Sequence, residues 1–91
     1  MAKTQIESPD ALIKRYIEPH PNKPGLSNAR LTTDHHVPVW ALIGHLDVVD
    51  GDVDQVAHDY GIPHEAVDAA LAYYERHKPS LDARLALNRE G

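Results

Sequence analysis

The sequence predicts an all-α domain of four to five helices arranged around a helix-turn-helix unit, with at most one short extended segment near residues 29–31. Apolar residues recur at helical spacing over most of the 91-residue chain, which is the pattern of helices that bury one face. Proline, glycine and aspartate interrupt this pattern where helices begin and end. The chain has no cysteine, so packing alone must hold the fold together.

The first predicted element is a short helix. Ser8 followed by Pro9 has the form of an N-cap and a first helical residue, and apolar residues then recur at helical spacing from Leu12 until Pro19. From Pro19 onward, several prolines and a glycine remove backbone donors and restrict the backbone dihedrals. We therefore expect a tethering loop up to residue 34.

Two further helices are predicted in the middle of the chain. Pro38 opens the second helix, and Asp52 and Gln55 have the spacing of a capping box at the start of the third. In this motif the Asp52 carboxylate accepts a backbone N–H of the helix start, and the Gln55 side chain reaches back to the backbone N–H of Asp52. Gly61 ends the third helix, because a positive backbone dihedral costs glycine little. The second helix carries the predicted core stripe, which consists of Val39, Trp40, Leu42, Ile43 and Leu46.

The last two helices are separated by a proline. Pro63 starts the fourth helix, and Pro79 ends or kinks it. Ser80 is predicted to cap the last helix. The apolar edge of that helix is too narrow to be stable alone, so we expect it to dock on another surface. This edge consists of Leu81, Leu85 and Leu87.

The chain is long enough for one modest hydrophobic core and too short for two. Within this single domain, residues 1–36 are predicted to form an N-terminal helix and a proline-rich tethering segment. Residues 37–91 are predicted to form the helix-turn-helix core with the C-terminal helix. No apolar run approaches the roughly 20 residues that span a bilayer, and the start of the chain is short and polar for a signal peptide. We expect a cytoplasmic protein with no membrane partner.

Charge is divided into blocks along the chain. Residues 31–75 hold nine Asp or Glu and neither Lys nor Arg, whereas residues 1–30 and 76–91 each have more basic than acidic side chains. The formal net charge is -5. An electronegative centre repels nucleic acid phosphate and favours a basic partner surface. We therefore expect a protein that binds another protein, unless the basic ends fold over the central carboxylates.

Catalysis and metal binding have little support in the sequence. No nucleophile with an accompanying base can be identified, and no pair among the seven histidines has the spacing of a zinc-binding helix with a third ligand in reach. Asp50, Asp52 and Asp54 alternate as in a calcium loop, but the glycine and glutamate which that loop requires are absent. The sequence therefore predicts no enzyme, no metal and no cofactor.

Residues 52–74 have the spacing of a helix-turn-helix. A small residue, Ala57, stands where the two helices would cross, Gly61 stands in the turn, and Val67 and Leu71 face back toward the first helix. Proteins use this arrangement for internal packing as well as for reading DNA, so the fold by itself does not decide the function.

Two stretches of this region have a recognisable form. Residues 37–43 read VPVWALI and residues 69–74 read AALAYY. Both resemble motifs of the prokaryotic domain-of-unknown-function family 433, which is grouped among VapB-type antitoxin-like proteins. The resemblance extends over residues 29–89. It departs from the family at residues 34–36, where Asp-His-His stands in place of the family's usual Gly-Thr-Arg.

The resemblance implies an antitoxin that binds and neutralises a toxin, above all a PIN-domain ribonuclease. An acidic surface suits the basic RNA-binding face of such a nuclease. The alternative is a helix-turn-helix DNA-binding repressor that binds operator DNA as a dimer or together with its toxin. For this alternative the reading helix would expose Glu65 and Asp68, which are not the arginine or lysine that usually reads guanine.

Three sets of candidate residues follow from these hypotheses. A strip of small side chains on the fourth helix indicates either tight internal packing or a homodimer face, and we favour the homodimer face. This strip consists of Ala66, Ala69, Ala70 and Tyr73. The toxin-contact candidates are Leu81, Arg84, Leu85, Asp68 and Glu65. The DNA-contact candidates are His64, Arg76, Lys78 and Arg30.

Overall fold

A computed structural model describes residues 8–33 and 35–90 of the chain as five α-helices, one turn of 3-10 helix and one two-stranded sheet. The predicted helical fold class is therefore confirmed. No helix in this described part is long and apolar enough to cross a membrane. In chain order the elements are α1 (Pro9–Tyr16), β1 (Ile17–Glu18), the 3-10 turn (Leu26–Asn28), β2 (Arg30–Leu31), α2 (Val39–Val48), α3 (Val53–Tyr60), α4 (His64–Arg76) and α5 (Lys78–Glu90).

The first helix begins where the sequence predicts. The Ser8 hydroxyl accepts the Ala11 N–H at 3.2 Å and so caps α1, satisfying one of the backbone donors that a helix start leaves unpaired. The helix ends at Tyr16, before Pro19, because the chain turns there into an extended strand. The N-terminal prediction is confirmed, with a slightly earlier end.

The two strands pair antiparallel, with Ile17 opposite Leu31 and Glu18 opposite Arg30. The sequence predicted the extended backbone near residues 29–31 but not its partner strand, because two residues are too few to show alternation. Leu31 is fully buried. The pairing therefore fixes the proline-rich segment on the core.

The helix-turn-helix unit forms as predicted from α3, the turn at Gly61 and α4. The Asp52 carboxylate accepts the Gln55 N–H at 3.1 Å and caps α3. The reciprocal half of the predicted capping box is wrong, because the Gln55 side chain donates to Asp59 at 2.7 Å instead. Gly61 ends α3 with φ of 65°, in the left-handed region.

The junction between α4 and α5 differs from the prediction by a few residues. α4 ends at Arg76, ahead of Pro79 as predicted, and α5 begins at Lys78. Pro79 lies in the first turn of α5, where its missing N–H would have no helical partner anyway. The predicted Ser80 cap is wrong, because the helical hydrogen bonds already begin at the His77 carbonyl.

α4 lies at the centre of the fold and contacts α1, α2, α3 and α5. Its face of small side chains is buried within this one chain, in which α4 packs against the other four helices. The prediction of a homodimer face on this strip is therefore wrong, and the alternative of tight internal packing is what the structure shows. The buried residues of α4 are Ala66, Val67, Ala69, Ala70 and Tyr73.

The two predicted segments of the domain, residues 1–36 and 37–91, share one core. Ala29 and Leu31 are buried in the same cluster as residues of α2, α4 and α5. The Tyr73 hydroxyl donates to the Leu26 carbonyl at 2.8 Å, which joins α4 to the 3-10 turn. The proline-rich segment is thus part of the packed domain and does not act as a loose tether.

Candidate functional site

A groove of about 400 Å³ opens between α2, the end of α3 and α5. Gly44 marks a close approach of α2 and α5, because a Cβ atom at this position would lie 3.4 Å from Cδ2 of Leu85. The lining combines aromatic and aliphatic side chains with a few polar groups, which is the usual composition of binding grooves. The lining residues are Trp40, Ala41, Gly44, His45, Asp47, Val48, Tyr60, Leu85 and Asn88.

Apolar side chains at this groove meet solvent. Val48, at the end of α2, lines the groove and is 76% exposed. Leu85 of α5 also lines the groove and is partly buried. A large aliphatic side chain exposed at a groove is typical of surfaces that another protein covers.

A hydrogen-bonded network on α2 and α3 adjoins the groove. Nε2 of His45 lies 2.8 Å from Oδ2 of Asp59, and Gln55 donates to the other oxygen of the same carboxylate. These hydrogen bonds, that from His45 first, hold the pKa of Asp59 below its ordinary value. The His45 ring also meets the Tyr60 ring edge to face, with 5.5 Å between centroids. A negative charge is therefore held next to an aromatic part of the groove.

The central carboxylates remain at the surface. The basic C-terminal part of the chain approaches this acidic block at Glu75, whose carboxylate lies 3.6 Å from Nζ of Lys78. The other carboxylates of the block that form described ion pairs are paired with histidine. The expected electronegative surface is therefore present over much of the block. Its exposed members include Asp50, Asp52, Asp54 and Glu65.

The four predicted DNA-contact residues do not form one basic surface. Each lies beside a carboxylate that offsets its charge, whereas phosphate binding draws on lysine and arginine whose charge is available to DNA. DNA binding stays a prediction, and the electrostatics at these four positions weigh against it. The pairs are Arg30 with Glu18, Arg76 with Asp10, Lys78 with Glu75, and His64 with both Asp54 and Asp68.

The five toxin-contact candidates are scattered over the molecule. Leu81 has no exposed surface, so its prediction as a contact residue is wrong; the docking of α5 places it in the core. Leu85 lines the groove. Arg84 lies in a different cleft, and Glu65 and Asp68 lie near the start of α4, where Asp68 is 3.2 Å from His64.

The cleft that Arg84 lines, which we call the basic cleft, has a volume of about 200 Å³. It shares Trp40 with the groove. It brings together the loop after β1, the strand β2, the turn before α2, and α5. The sequence does not reveal this cleft, because its residues are far apart along the chain and no periodic pattern joins them. The lining residues are His20, Lys23, Asn28, Arg30, His36, Pro38, Trp40 and Arg84.

Trp40 stands between the two concave surfaces. Its side chain packs on the core but is only partly buried, so the prediction of a core tryptophan is confirmed in part. The Arg84 guanidinium lies over the ring, 5.1 Å from its centroid, and Nη1 of Arg84 donates to Oδ1 of Asn28 at 2.7 Å. α5 thereby covers one side of the indole.

The histidines do not gather into a metal site. Within residues 8–33 and 35–88, no three His, Asp or Glu side chains come together in a way that could hold a metal ion. His64 illustrates what the imidazoles do instead. Its two ring nitrogens lie 3.2 Å from Asp54 of α3 and 3.2 Å from Asp68 of α4, so the ring bridges the two helices of the helix-turn-helix.

No protein-family model, curated protein or solved structure matches this chain. The resemblance to family 433 and to VapB-type antitoxins stays a prediction. The function proposed below rests on the fold and on the shape and charge of the groove.

Proposed function

We propose that this protein is an antitoxin-like interaction module that binds and neutralises a toxin through the groove between α2 and α5. A PIN-domain ribonuclease is the toxin class that the sequence resemblance implies. The single observation that carries the proposal is the groove itself, in which exposed Val48 and the partly buried Leu85 stand beside the carboxylates of Asp47 and Asp59. Apolar contact supplies affinity at such a surface, and charge supplies selectivity and fast association.

The chemistry of the groove defines the partner segment. A groove between two helices accepts a helix or an extended segment that inserts apolar side chains. Carboxylates at and beside the groove favour lysine or arginine on the flanks of that segment. The RNA-binding face of a ribonuclease is basic because it must attract phosphate. A chain bound over this face blocks access of RNA, which is the proposed means of neutralisation.

The proposal places the protein in the cytoplasm, where a toxin would meet cellular RNA. A fold without cysteine is compatible with that reducing compartment. A homodimer remains part of the proposal, but it needs a face other than the buried small-residue strip of α4.

The proposal is tested by co-purifying the chain with the protein encoded by the adjacent gene and measuring their Kd by calorimetry. Val48→Glu should weaken the complex about tenfold or more, because it puts a carboxylate into an apolar contact. Ala83→Glu is the matched control, since it adds the same charge to an exposed position of α5 outside the groove. The ribonuclease activity of the partner should also be lower in the complex with the wild-type chain than in the free partner.

Two results would count against the proposal. One is the absence of any complex with the neighbouring gene product; the other is a complex that Val48→Glu and Ala83→Glu affect equally. Binding of the isolated chain to its own promoter DNA, with an affinity that falls steeply between about 50 and 200 mM salt, would favour the repressor alternative instead.

A further inference from the structure

We propose that the basic cleft binds the phosphate group of a small phosphorylated molecule. Three cationic side chains, Lys23, Arg30 and Arg84, line one cavity of about 200 Å³. No carboxylate is among the described residues that line it, and the nearest described one, Glu18, pairs with Arg30 and lies 3.4 Å from His36. In a chain with a formal net charge of -5, this local excess of positive charge is unusual, and concave cationic surfaces concentrate anions.

The hydrogen bonds already made by the arginines leave donors for a ligand. Arg30 donates to Glu18 at 2.7 Å through Nε, so that bond does not involve its two terminal amino groups. Arg84 donates to Asn28 through Nη1, so that bond does not involve its Nε or Nη2. A guanidinium has five N–H donors in a fixed fork, and this geometry matches the oxygens of phosphate.

The cleft is held in shape before any ligand binds. The Arg84 guanidinium lies over the Trp40 ring, and Arg30 is hydrogen-bonded to Glu18. Asn28 is itself held by a bond from Nδ2 to the Pro24 carbonyl at 3.0 Å. Side chains that are ordered in advance lose little conformational entropy on binding.

A histidine adds a further donor at the cleft. The backbone N–H of Asn22 donates to Nδ1 of His20 at 3.0 Å. This assigns the proton of the neutral ring to Nε2, so His20 presents an N–H without needing a positive charge. Lys23 is exposed at the same cleft and supplies a mobile ammonium.

The size and surroundings of the cleft favour one phosphate group over a nucleic acid backbone. Duplex binding uses rows of cations that neutralise several phosphates at once. Outside the cleft, Arg76 and Lys78 lie beside Asp10 and Glu75, and at the cleft Glu18 pairs with Arg30. Lys23 and Arg84 therefore supply most of the positive charge of the cleft, and two charges at one point suit a single phosphate group.

Trp40 provides the assay, because it is the only tryptophan of the chain and lines the cleft. We would titrate the full chain with inorganic phosphate, AMP and adenosine at constant ionic strength and follow tryptophan fluorescence. Phosphate and AMP should give saturable changes that adenosine does not give. Calorimetry with the same compounds measures the binding heat, which does not depend on the fluorescence of Trp40.

Two variants test the assignment. Lys23→Gln should raise the Kd for phosphate about tenfold, as expected for the loss of one charged hydrogen bond, and Arg84→Gln should raise it at least as much. Lys14→Gln is the matched control, because Lys14 is exposed on α1 and does not line the cleft. Circular dichroism establishes that each variant is folded.

The proposal is overturned if neither phosphate nor AMP binds saturably, or if Lys23→Gln and Arg84→Gln bind phosphate as tightly as Lys14→Gln does. It is also overturned if a DNA duplex without terminal phosphates competes more strongly than AMP, since the cleft would then recognise a nucleic acid backbone. Val48→Glu should leave phosphate binding unchanged, so failure of the cleft and failure of the groove are separate results.

Discussion

Histidine side chains connect elements that are distant in the sequence. His64 reaches from the start of α4 to a carboxylate of α3, and His45 reaches from α2 to Asp59 of α3. An imidazole N–H can donate to a carboxylate, so a histidine can bind one without a lysine or arginine. The histidines therefore organise part of the acidic block in place of the basic residues that it lacks.

Asp59 should give the protein a measurable dependence of stability on acid. Hydrogen bonds from His45 and Gln55 keep the pKa of Asp59 below its ordinary value in the folded state. The resulting stabilisation is present above the ordinary aspartate pKa and is lost as the pH falls through the lowered folded value. Asp59→Asn should therefore flatten this part of the pH profile.

The measurement is urea unfolding at several pH values between about 6 and 3. Gln55→Ala serves as a graded comparison, because it removes only the second of the two hydrogen bonds and should reduce the acid-dependent loss in part. Identical pH slopes for the wild type and Asp59→Asn would show that Asp59 does not contribute.

At the scale of elements, single residues at the helix ends set the boundaries. Ser8 caps α1 and Asp52 caps α3, each through a side-chain oxygen that accepts a backbone N–H. Gly61 closes α3, and its N–H reaches back to the His58 carbonyl at 3.2 Å. These interactions span only a few residues, which is why the sequence reveals them.

Replacing Gly61 should destabilise the helix-turn-helix through the backbone alone. Its φ is 65°, and a Cβ atom there would meet nothing within 4 Å, so no steric contact contributes. Gly61→Ala should cost about 1–2 kcal/mol, the usual penalty of the left-handed conformation for an L-residue. Gly61→Asn should cost less, because asparagine adopts this conformation more readily.

Chemical denaturation of the two variants beside the wild type checks this ordering. Equal losses for alanine and asparagine would mean that space or solvation, and not the backbone dihedral, governs the position. An alanine variant as stable as the wild type would show that the turn adopts another conformation in solution.

At the scale of the whole molecule, α1 completes the core. It lies against α4, in which Ala66, Ala69 and Ala70 are fully buried. The chain then presents two concave surfaces of different character, the largely apolar groove and the basic cleft, which share Trp40. Their separation depends on the docking of α5, because Leu85 lines one surface and Arg84 lines the other.

A chain that begins at residue 20 should be strongly destabilised, since it lacks α1 and β1. The partly buried apolar residues Ile13, Tyr16 and Ile17 pack against the core, and their loss should cost at least about 3 kcal/mol. The uncovered face of α4 should also promote self-association. Circular dichroism melts and light scattering measure both effects.

The control for this truncation keeps α1 and removes only its ion pair with α4. Arg76→Gln breaks the contact with Asp10, and because surface ion pairs contribute about 0–1 kcal/mol, it should have a small effect. A truncated chain with the melting temperature of the wild type would show that α1 is dispensable for the core.

Some residues show how far a local pattern reaches. The stripe of α2 was predicted correctly as a core element, and Val39 and Leu42 are fully buried. Ser80 resembled a cap, yet the preceding Pro79 is compatible with a helix start and α5 begins earlier. Leu85 was a predicted contact residue and does line the groove, but the neighbouring prediction at Leu81 was wrong because helix docking turned that side chain inward.

The sequence by itself determined the helical class, the helix-turn-helix and most helix boundaries, because caps, prolines and periodic apolar residues act over one or two turns of chain. It also determined the acidic block, since composition needs no coordinates. Only the tertiary structure decided that the alanine strip is buried inside the chain and that Asn28 meets Arg84. These contacts join residues far apart along the chain, and they depend on how helices dock, which no local spacing specifies.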